Sequence, residues 1–284
     1  METPKIAVRD LEKVFFTKGR EFTALHDINI DVRRNEFLAL VGASGCGKST
    51  LLRIIGGLEY PSSGQVLVDG EPVFGPGKDR VMVFQDYSLY PWLSVIENIR
   101  FCRELAAHTR TNTISDSATA VDRSYALLEL MGLEAVKDAH PNELSGGMRQ
   151  RVAIARALMS RPDVLLMDEP FGALDAQTRE VMHDLILHVF EIEKCTIVFV
   201  THDVEEAIYL ADRVVVLAPN PGHVDSIHEI DLPPPLERDQ ELKLSTDFVE
   251  QKRAILHRIR ETTGVQRDLE KLDRLTKHLR ETSA

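Results

Sequence analysis

Residues 42–50 read Gly-Ala-Ser-Gly-Cys-Gly-Lys-Ser-Thr, directly after the apolar run Phe37–Val41 and directly before Leu51, Leu52, Ile54 and Ile55 at helical spacing. Few sequence features restrict a fold as tightly. A turn of the form G-x-x-x-x-G-K-[ST] between a strand and a helix lets successive backbone N–H groups converge on one point. The new helix adds the positive end of its dipole there. What fits such a cradle is a phosphate chain. Lys48 brings a point charge to the β- and γ-phosphates, and the Ser49 hydroxyl is a ligand for Mg²⁺. Gly42, Ala43, Ser44, Gly45, Cys46, Gly47, Lys48, Ser49 and Thr50 form the expected loop, with Cys46 read as a small loop residue and not a nucleophile.

Such a loop needs a carboxylate for the metal and a group to activate water. Val164-Leu165-Leu166-Met167-Asp168-Glu169 supplies both at the end of an apolar run. Asp168 is placed to hold Mg²⁺ through its water shell, and Glu169 to orient or deprotonate the attacking water. Adjacent strand residues point to opposite faces, so the backbone is expected to bend where the strand ends. Only then do both carboxylates serve one site.

The rest of the chain agrees with an α/β class. Phe37–Val41, Arg80–Phe84, Val164–Met167 and Thr196–Val200 read as buried strands, alternating with longer stretches at helical spacing, the pattern of a parallel sheet covered by helices. The first 36 residues and Gly64–Val73 alternate as antiparallel strands do. From about Val95 to Ala139 we expect a helical insertion, with Tyr125, Leu128 and Met131 on one face and a polar, mobile loop over His108–Thr119. After Ala218 come Pro219, Pro221 and Gly222 and then Pro233-Pro234-Pro235, which continue neither helices nor central strands and set a boundary. Beyond it Phe248, Ile255 and Ile259, then Leu272, Leu275 and Leu279, mark two helical faces. These suit either a partner-binding tail or an extension packed on its own core.

Charge and cysteines exclude several roles. Thirty-four basic against 45 acidic residues leave a net charge of −11, so bulk attraction to nucleic acid or an anionic membrane is not expected. The three cysteines, Cys46, Cys102 and Cys195, lack the paired spacing of a zinc site or disulfide frame and fit a reducing compartment. METPKIAVRD has no apolar core of the kind an export signal needs. The longest apolar runs fall well below the roughly 18–20 residues that span a bilayer. Work at a membrane would therefore depend on partners.

At Leu144-Ser145-Gly146-Gly147-Met148-Arg149-Gln150-Arg151 the chain resembles the ATP-binding-cassette (ABC) ATPases. Independently of any family, Ser145 reads as an N-cap before a helix over Met148–Met159, a second helix end suited to an anion. The resemblance covers about residues 6–262. It implies a P-loop NTPase fold with a RecA-like core, an antiparallel β subdomain and a helical subdomain. The implied divisions are 1–93 for the first part of the core with the β subdomain and 94–160 for the helical subdomain. Residues 161–235 would complete the core, with 236–284 as a C-terminal helical extension.

The resemblance also implies residue roles. Ser145, Gly146 and Gly147 would close over the ATP of the other subunit, which makes hydrolysis require a dimer. Phe15, with Phe16 as second choice, resembles the aromatic that stacks on adenine. Gln85 resembles the glutamine that senses Mg²⁺ and the γ-phosphate. Asp175, in Gly172-Ala173-Leu174-Asp175, resembles the residue that communicates across the dimer. His202 resembles the histidine that contacts the γ-phosphate. Met148 departs from the family's glutamine, a change of small consequence where Ser145 and the glycine backbone make the contacts.

Within the family, Phe199–Ala207, Arg213–Leu217, Pro221-Gly222 and Leu232-Pro233 look like the nitrate/sulfonate/taurine group of bacterial importers. That implies an ATPase peripheral to the cytoplasmic face of the inner membrane. ATP and Mg²⁺ would be its ligands. Its expected partners are a second ATPase subunit, identical or not, transmembrane permease subunits and, indirectly, a solute-binding protein; nucleic acid is not among them. Tyr87, Leu89, Tyr90 and Trp92, in DYSLYPWLSVIEN, would line the groove that receives a helix of the membrane subunit, although each is equally suited to the core. Two other readings remain open, a soluble cassette protein acting on nucleic acid or the ribosome and an exporter subunit.

Overall fold

The computed structural model describes residues 3–17, 19–107 and 123–263. The expected loop over His108–Thr119 and the second tail face at Leu272, Leu275 and Leu279 lie outside the described residues. Strands β3 (Phe37–Gly42), β6 (Arg80–Val83), β7 (Val164–Asp168), β8 (Thr196–Val200) and β9 (Arg213–Ala218) run parallel in the spatial order β9-β3-β8-β7-β6. An antiparallel sheet, ordered β2-β1-β4-β5, holds β1 (Ile6–Thr17), β2 (Arg20–Val32), β4 (Ser63–Val68) and β5 (Glu71–Pro72). β3, β7, β8 and the antiparallel strands thus fall where apolar runs and alternation placed them, whereas β6 lies at the sheet edge with only Val83 buried, and β9 was not among the expected strands.

The central strands are buried on both faces, and their residues divide by parity between two cores, as a period of two requires. Phe37, Ala39 and Val41 of β3 join Leu165 and Met167 of β7 and Ile197 and Phe199 of β8 in one core. Leu38 and Leu40, Val164 and Leu166, and Val198 and Val200 face the other, where helix α1 (Lys48–Ile55) and the antiparallel sheet pack. The first core is covered by α2 (Val95–Ala107), α3 (described over residues 123–130), α4 (Gly146–Met159), α5 (Ala176–Glu193) and α6 (Val204–Leu210). Parity along a strand therefore decides which side of the sheet each functional residue will meet.

One expectation needs correction. The prolines after Ala218 do not end the sheet: they form a turn with a cis Asn220–Pro221 bond, and β10 (His223–Glu229) returns antiparallel to β9 as an edge strand. An edge strand needs only one partner and tolerates polar residues, so His223–Glu229 carries no apolar run to betray it. Downstream, α7 (Thr246–Thr263) buries Phe248 and Ile255 and packs Ile259 against the first core. The first tail face is thus an extension packed on its own core.

Candidate functional site

The glycine-rich loop leaves β3 with backbone that other residues resist. Gly42 has φ +150, and a Cβ there would sit 2.3 Å from the Leu217 carbonyl oxygen of β9. Gly47 has φ +96, and its Cβ would meet Leu25 at 2.5 Å. The loop is therefore wedged between β9 and β2, its turn fixed by two positions that only glycine fills. Lys48 is 6% exposed, and its Nζ donates to the carbonyl oxygens of Gly42 at 2.9 Å and Ala43 at 3.1 Å. Cys46 is fully buried; burial pushes its thiol pKa up against a smaller opposing pull from Lys48. A protonated thiol facing the core is a poor nucleophile, in keeping with its reading as a loop residue.

Parity then delivers the carboxylate. Asp168 continues the Val164, Leu166 series toward α1, where it accepts the Ser49 hydroxyl proton at 2.7 Å. Glu169 breaks the alternation. Its φ is +45, and its N–H donates to the Val200 carbonyl at 2.9 Å, so the side chain swings to the same end of the sheet. Its Oε2 lies 3.3 Å from His202 Nδ1, with the imidazole 65% exposed. The expected bend is thus one left-handed residue. Among the described residues no group of three or more His, Cys, Asp or Glu could hold a metal. A hydroxyl and one carboxylate side by side are hard oxygen donors that suit Mg²⁺ completed by substrate phosphates and water.

A cleft of about 580 Å³ joins these groups, running from Phe15 and Phe22 past Ser44, Gly45, Gly47, Lys48, Ser49 and Thr50 to Glu169 and His202. Phe15 is half-buried with Lys13 Nζ 4.7 Å from its ring centre, whereas Phe16 points out at 79% exposure. The cleft thus takes the first choice of aromatic. Phe22 was not anticipated from the sequence. It faces Phe15 across the β1–β2 ladder, and pairing the two strands about the turn at Gly19 would have found it.

Other expected residues lie apart from this cleft. Gln85 is exposed in the turn after β6 and is not among the cleft residues. Ser145 is exposed and caps α4, its hydroxyl accepting the Met148 N–H at 3.2 Å. Asp175 caps α5, accepting the Thr178 N–H at 3.0 Å and the Thr178 hydroxyl at 2.7 Å. These hydrogen bonds hold its carboxyl below the usual range. The two caps adjoin: a Cβ on Gly147 would fall 2.4 Å from the Thr178 methyl, so α4 and α5 approach as closely as glycine permits.

The aromatic segment splits between core and surface. Tyr87 and Leu89 are half-buried and pack on the first core, with the Arg156 guanidinium donating to the Tyr87 and Ser88 carbonyls at 3.0 and 2.7 Å. Tyr90 packs at a tilt against Phe101 and Trp92, with ring centres 4.2 and 5.4 Å apart, and Trp92 itself is 68% exposed. Buried Asn98, which sequence reading missed, fastens this segment: its amide exchanges hydrogen bonds with the Tyr90 N–H and carbonyl and donates to Leu93 and Ser94 carbonyls. None of the described helices is long and apolar enough to cross a membrane.

Comparison with known proteins agrees with this architecture. The profile of the ABC transporter family matches residues 25–172. An uncharacterised ABC transporter ATP-binding protein of Methanocaldococcus jannaschii is 47% identical over 253 residues, 89% of this chain and 90% of that one. The nitrate import ATP-binding protein NrtD of Synechocystis is 46% identical over 247 residues, covering 86% and 90%. Among solved structures, a dimeric ATP-binding cassette in a post-hydrolysis state with ADP and phosphate superposes with a TM-score of 0.69 at 31% identity, covering 80% of this chain and all of that one. With its phosphate loop, its paired carboxylates and its serine-capped glycine turn, the chain belongs to the ABC transporter family, as an ATPase subunit.

Proposed function

We propose that this ATPase drives uptake of a small anionic solute of the nitrate, sulfonate, taurine or bicarbonate type through separate permease subunits at the cytoplasmic face of the inner membrane. The observation that carries the hydrolytic part is the convergence of Lys48, Ser49, Asp168, Glu169 and His202 on one end of the sheet. The solute class is supported by the likeness to NrtD. Two copies close over two ATP molecules, so that Ser145, Gly146 and Gly147 of one subunit meet the γ-phosphate held by the loop of the other. Phe15 stacks on adenine, and Asp175 senses the partner.

Within this arrangement Lys48 leaves its loop carbonyls for the phosphates, and loop N–H groups share the remaining charge. Ser49 and Asp168, side by side, would hold Mg²⁺, which would supply charge neutralisation at the phosphates when bound, and Gln85 would join them only by moving in from the turn after β6. Glu169 takes the proton of the attacking water, and His202, paired with Glu169, steadies the γ-phosphate. Replacing Lys48 with Ala removes the hydrogen-bonding cation, a loss of about 1.5–3 kcal/mol. That corresponds to ATP binding weaker by about 10- to 100-fold, read by titrating a fluorescent ATP analogue.

Trp92 carries the coupling. Its exposed ring, backed by Tyr90 and Phe101, is a candidate anchor for a permease helix, since exposed aromatics on a rigid support dominate interfaces. Trp92→Ala should leave ATP affinity and basal turnover of the isolated subunit unchanged. In the assembled transporter it should reduce transport per ATP by about tenfold, the loss of one interface anchor. Unchanged coupling in proteoliposomes would remove Trp92 from the groove. The whole proposal is tested by steady-state MgATP hydrolysis with and without the permease subunits. Turnover that rises cooperatively with them supports a transport motor; turnover indifferent to them favours a soluble cassette protein.

A further inference from the structure

A buried ionic cluster lies beside His202, on residues that take no part in the chemistry above. Glu206 of α6 is 4% exposed and His183 of α5 is 2% exposed. Oε2 of Glu206 accepts the Thr201 hydroxyl proton at 2.6 Å. Its Oε1 stands 3.5 Å from both Arg179 Nε and His183 Nε2. Burial pushes the Glu206 carboxyl up, but His183, Thr201 and Arg179 together outweigh it and hold the group below its usual range, as an anion. A buried carboxylate is costly to keep and weak evidence of added stability. Its geometry points to what it holds in place.

The Thr201 hydroxyl that bonds Glu206 also accepts the Asp203 N–H at 3.0 Å, and the Thr201 N–H donates to Leu40 of β3 at 3.2 Å. His202 is thereby braced on both sides. Asp203 in turn caps α6, accepting the Glu205 N–H at 2.8 Å. On the opposite side, Arg179 donates to the Leu174 carbonyl at 3.1 Å and stands 3.8 Å from the Asp203 carboxylate. His183 packs edge-on against Phe171, two residues beyond Glu169, with ring centres 4.9 Å apart. Three loops, carrying Glu169, Asp175 and His202, thus meet one carboxylate through a single intermediary each.

We propose that Glu206 is a positioning residue for ATP hydrolysis. Acting through Thr201, it fixes the loop that presents His202, and through Arg179 it ties that loop to the turn at Leu174–Asp175. The inference rests on the role given to His202 above. A purely structural ion pair would alter stability and leave the chemical step alone. A positioning residue alters kcat at constant ATP affinity, because a small displacement of a catalytic group is expensive in rate.

Thr201→Val and Glu206→Gln keep shape and remove, respectively, the hydroxyl and the charge. Each should lower kcat by about tenfold or more, the scale of one lost hydrogen bond to a charged group, with ATP affinity measured without turnover changed by less than about twofold and kcat restored in Thr201→Ser. In a His202→Ala background, Thr201→Val should cost nothing further in single-turnover hydrolysis, since the two act as one unit. If Glu206→Gln does not fold, Thr201→Val beside Thr201→Ser decides alone. Wild-type kcat in Thr201→Val, a fall in ATP affinity that accounts for the whole loss, or additivity with His202→Ala overturns the positioning role while leaving His202 in the site. Wild-type kcat in His202→Ala itself overturns the reading of His202, and this proposal with it.

Discussion

Glu169→Gln lowers the steady-state rate of ATP hydrolysis by about 10²- to 10⁴-fold, the usual contribution of a positioned general base. Glutamine keeps the volume and one acceptor oxygen but takes no proton from water. Glutamine has the same length and branching as glutamate, so it meets the φ +45 turn at 169 with the strain the native residue already bears. Nothing in the substitution touches Lys48, the loop N–H groups or Ser49, so ATP affinity persists. With turnover stopped and binding intact, the ATP-closed dimer accumulates. Steady-state phosphate release, paired with light scattering in ATP, reads both halves of the result. Hydrolysis at the wild-type rate removes Glu169 from the role of base; lost ATP binding assigns it to the cradle instead.

Arg213→Ala costs about 3–5 kcal/mol of stability, the penalty for stranding one member of a buried ion pair. Glu36 is 3% and Arg213 8% exposed. The Arg213 guanidinium grips the Glu36 carboxylate through Nε, adds a second bond from Nη2 at 3.0 Å, and also reaches the Asp31 carbonyl. Glu36 lies just ahead of β3 and Arg213 opens β9, the two strands whose far ends grip the phosphate loop at Gly42 and Leu217. Alanine leaves a carboxylate in the interior with, among the described residues, only the Arg33 N–H still donating to it. Chemical denaturation of single and double variants checks this account. Replacing both residues, Glu36→Gln with Arg213→Met, loses less than the single change, because no lone charge remains. A loss below about 1 kcal/mol in Arg213→Ala would show that the pair is solvated in practice.

The phosphate loop was readable because all its determinants are local. Gly42 through Thr50 are consecutive, and the apolar run before them and the helical spacing after them are visible in a window of about 20 residues. The runs that became β3, β7 and β8 and the antiparallel strands were equally plain, since burial on two faces demands continuous apolar runs and burial on one demands alternation. Where burial makes no such demand, the sequence was mute. β10 is an edge strand of mixed polarity and was hidden behind the Pro219–Gly222 turn. Asn98, the amide that fastens the segment from Tyr90 to Ser94, has no pattern to announce it.

The kinds of group that do the chemistry, a lysine and serine in a glycine turn, two carboxylates ending a strand, a histidine behind another, were determined by the sequence. Each depends on neighbours a few positions away. Their assembly was decided only in three dimensions. Asp168 meets Ser49 across 119 positions because its parity along β7 sends it to the α1 side. Glu169 reaches His202 because one residue takes a left-handed turn, and Glu206 gathers Thr201, Arg179 and His183 because α5 and α6 pack on the same face. Such meetings follow from strand order and register, which arise from many weak long-range contacts summed over the sheet, and no local window of sequence contains that sum.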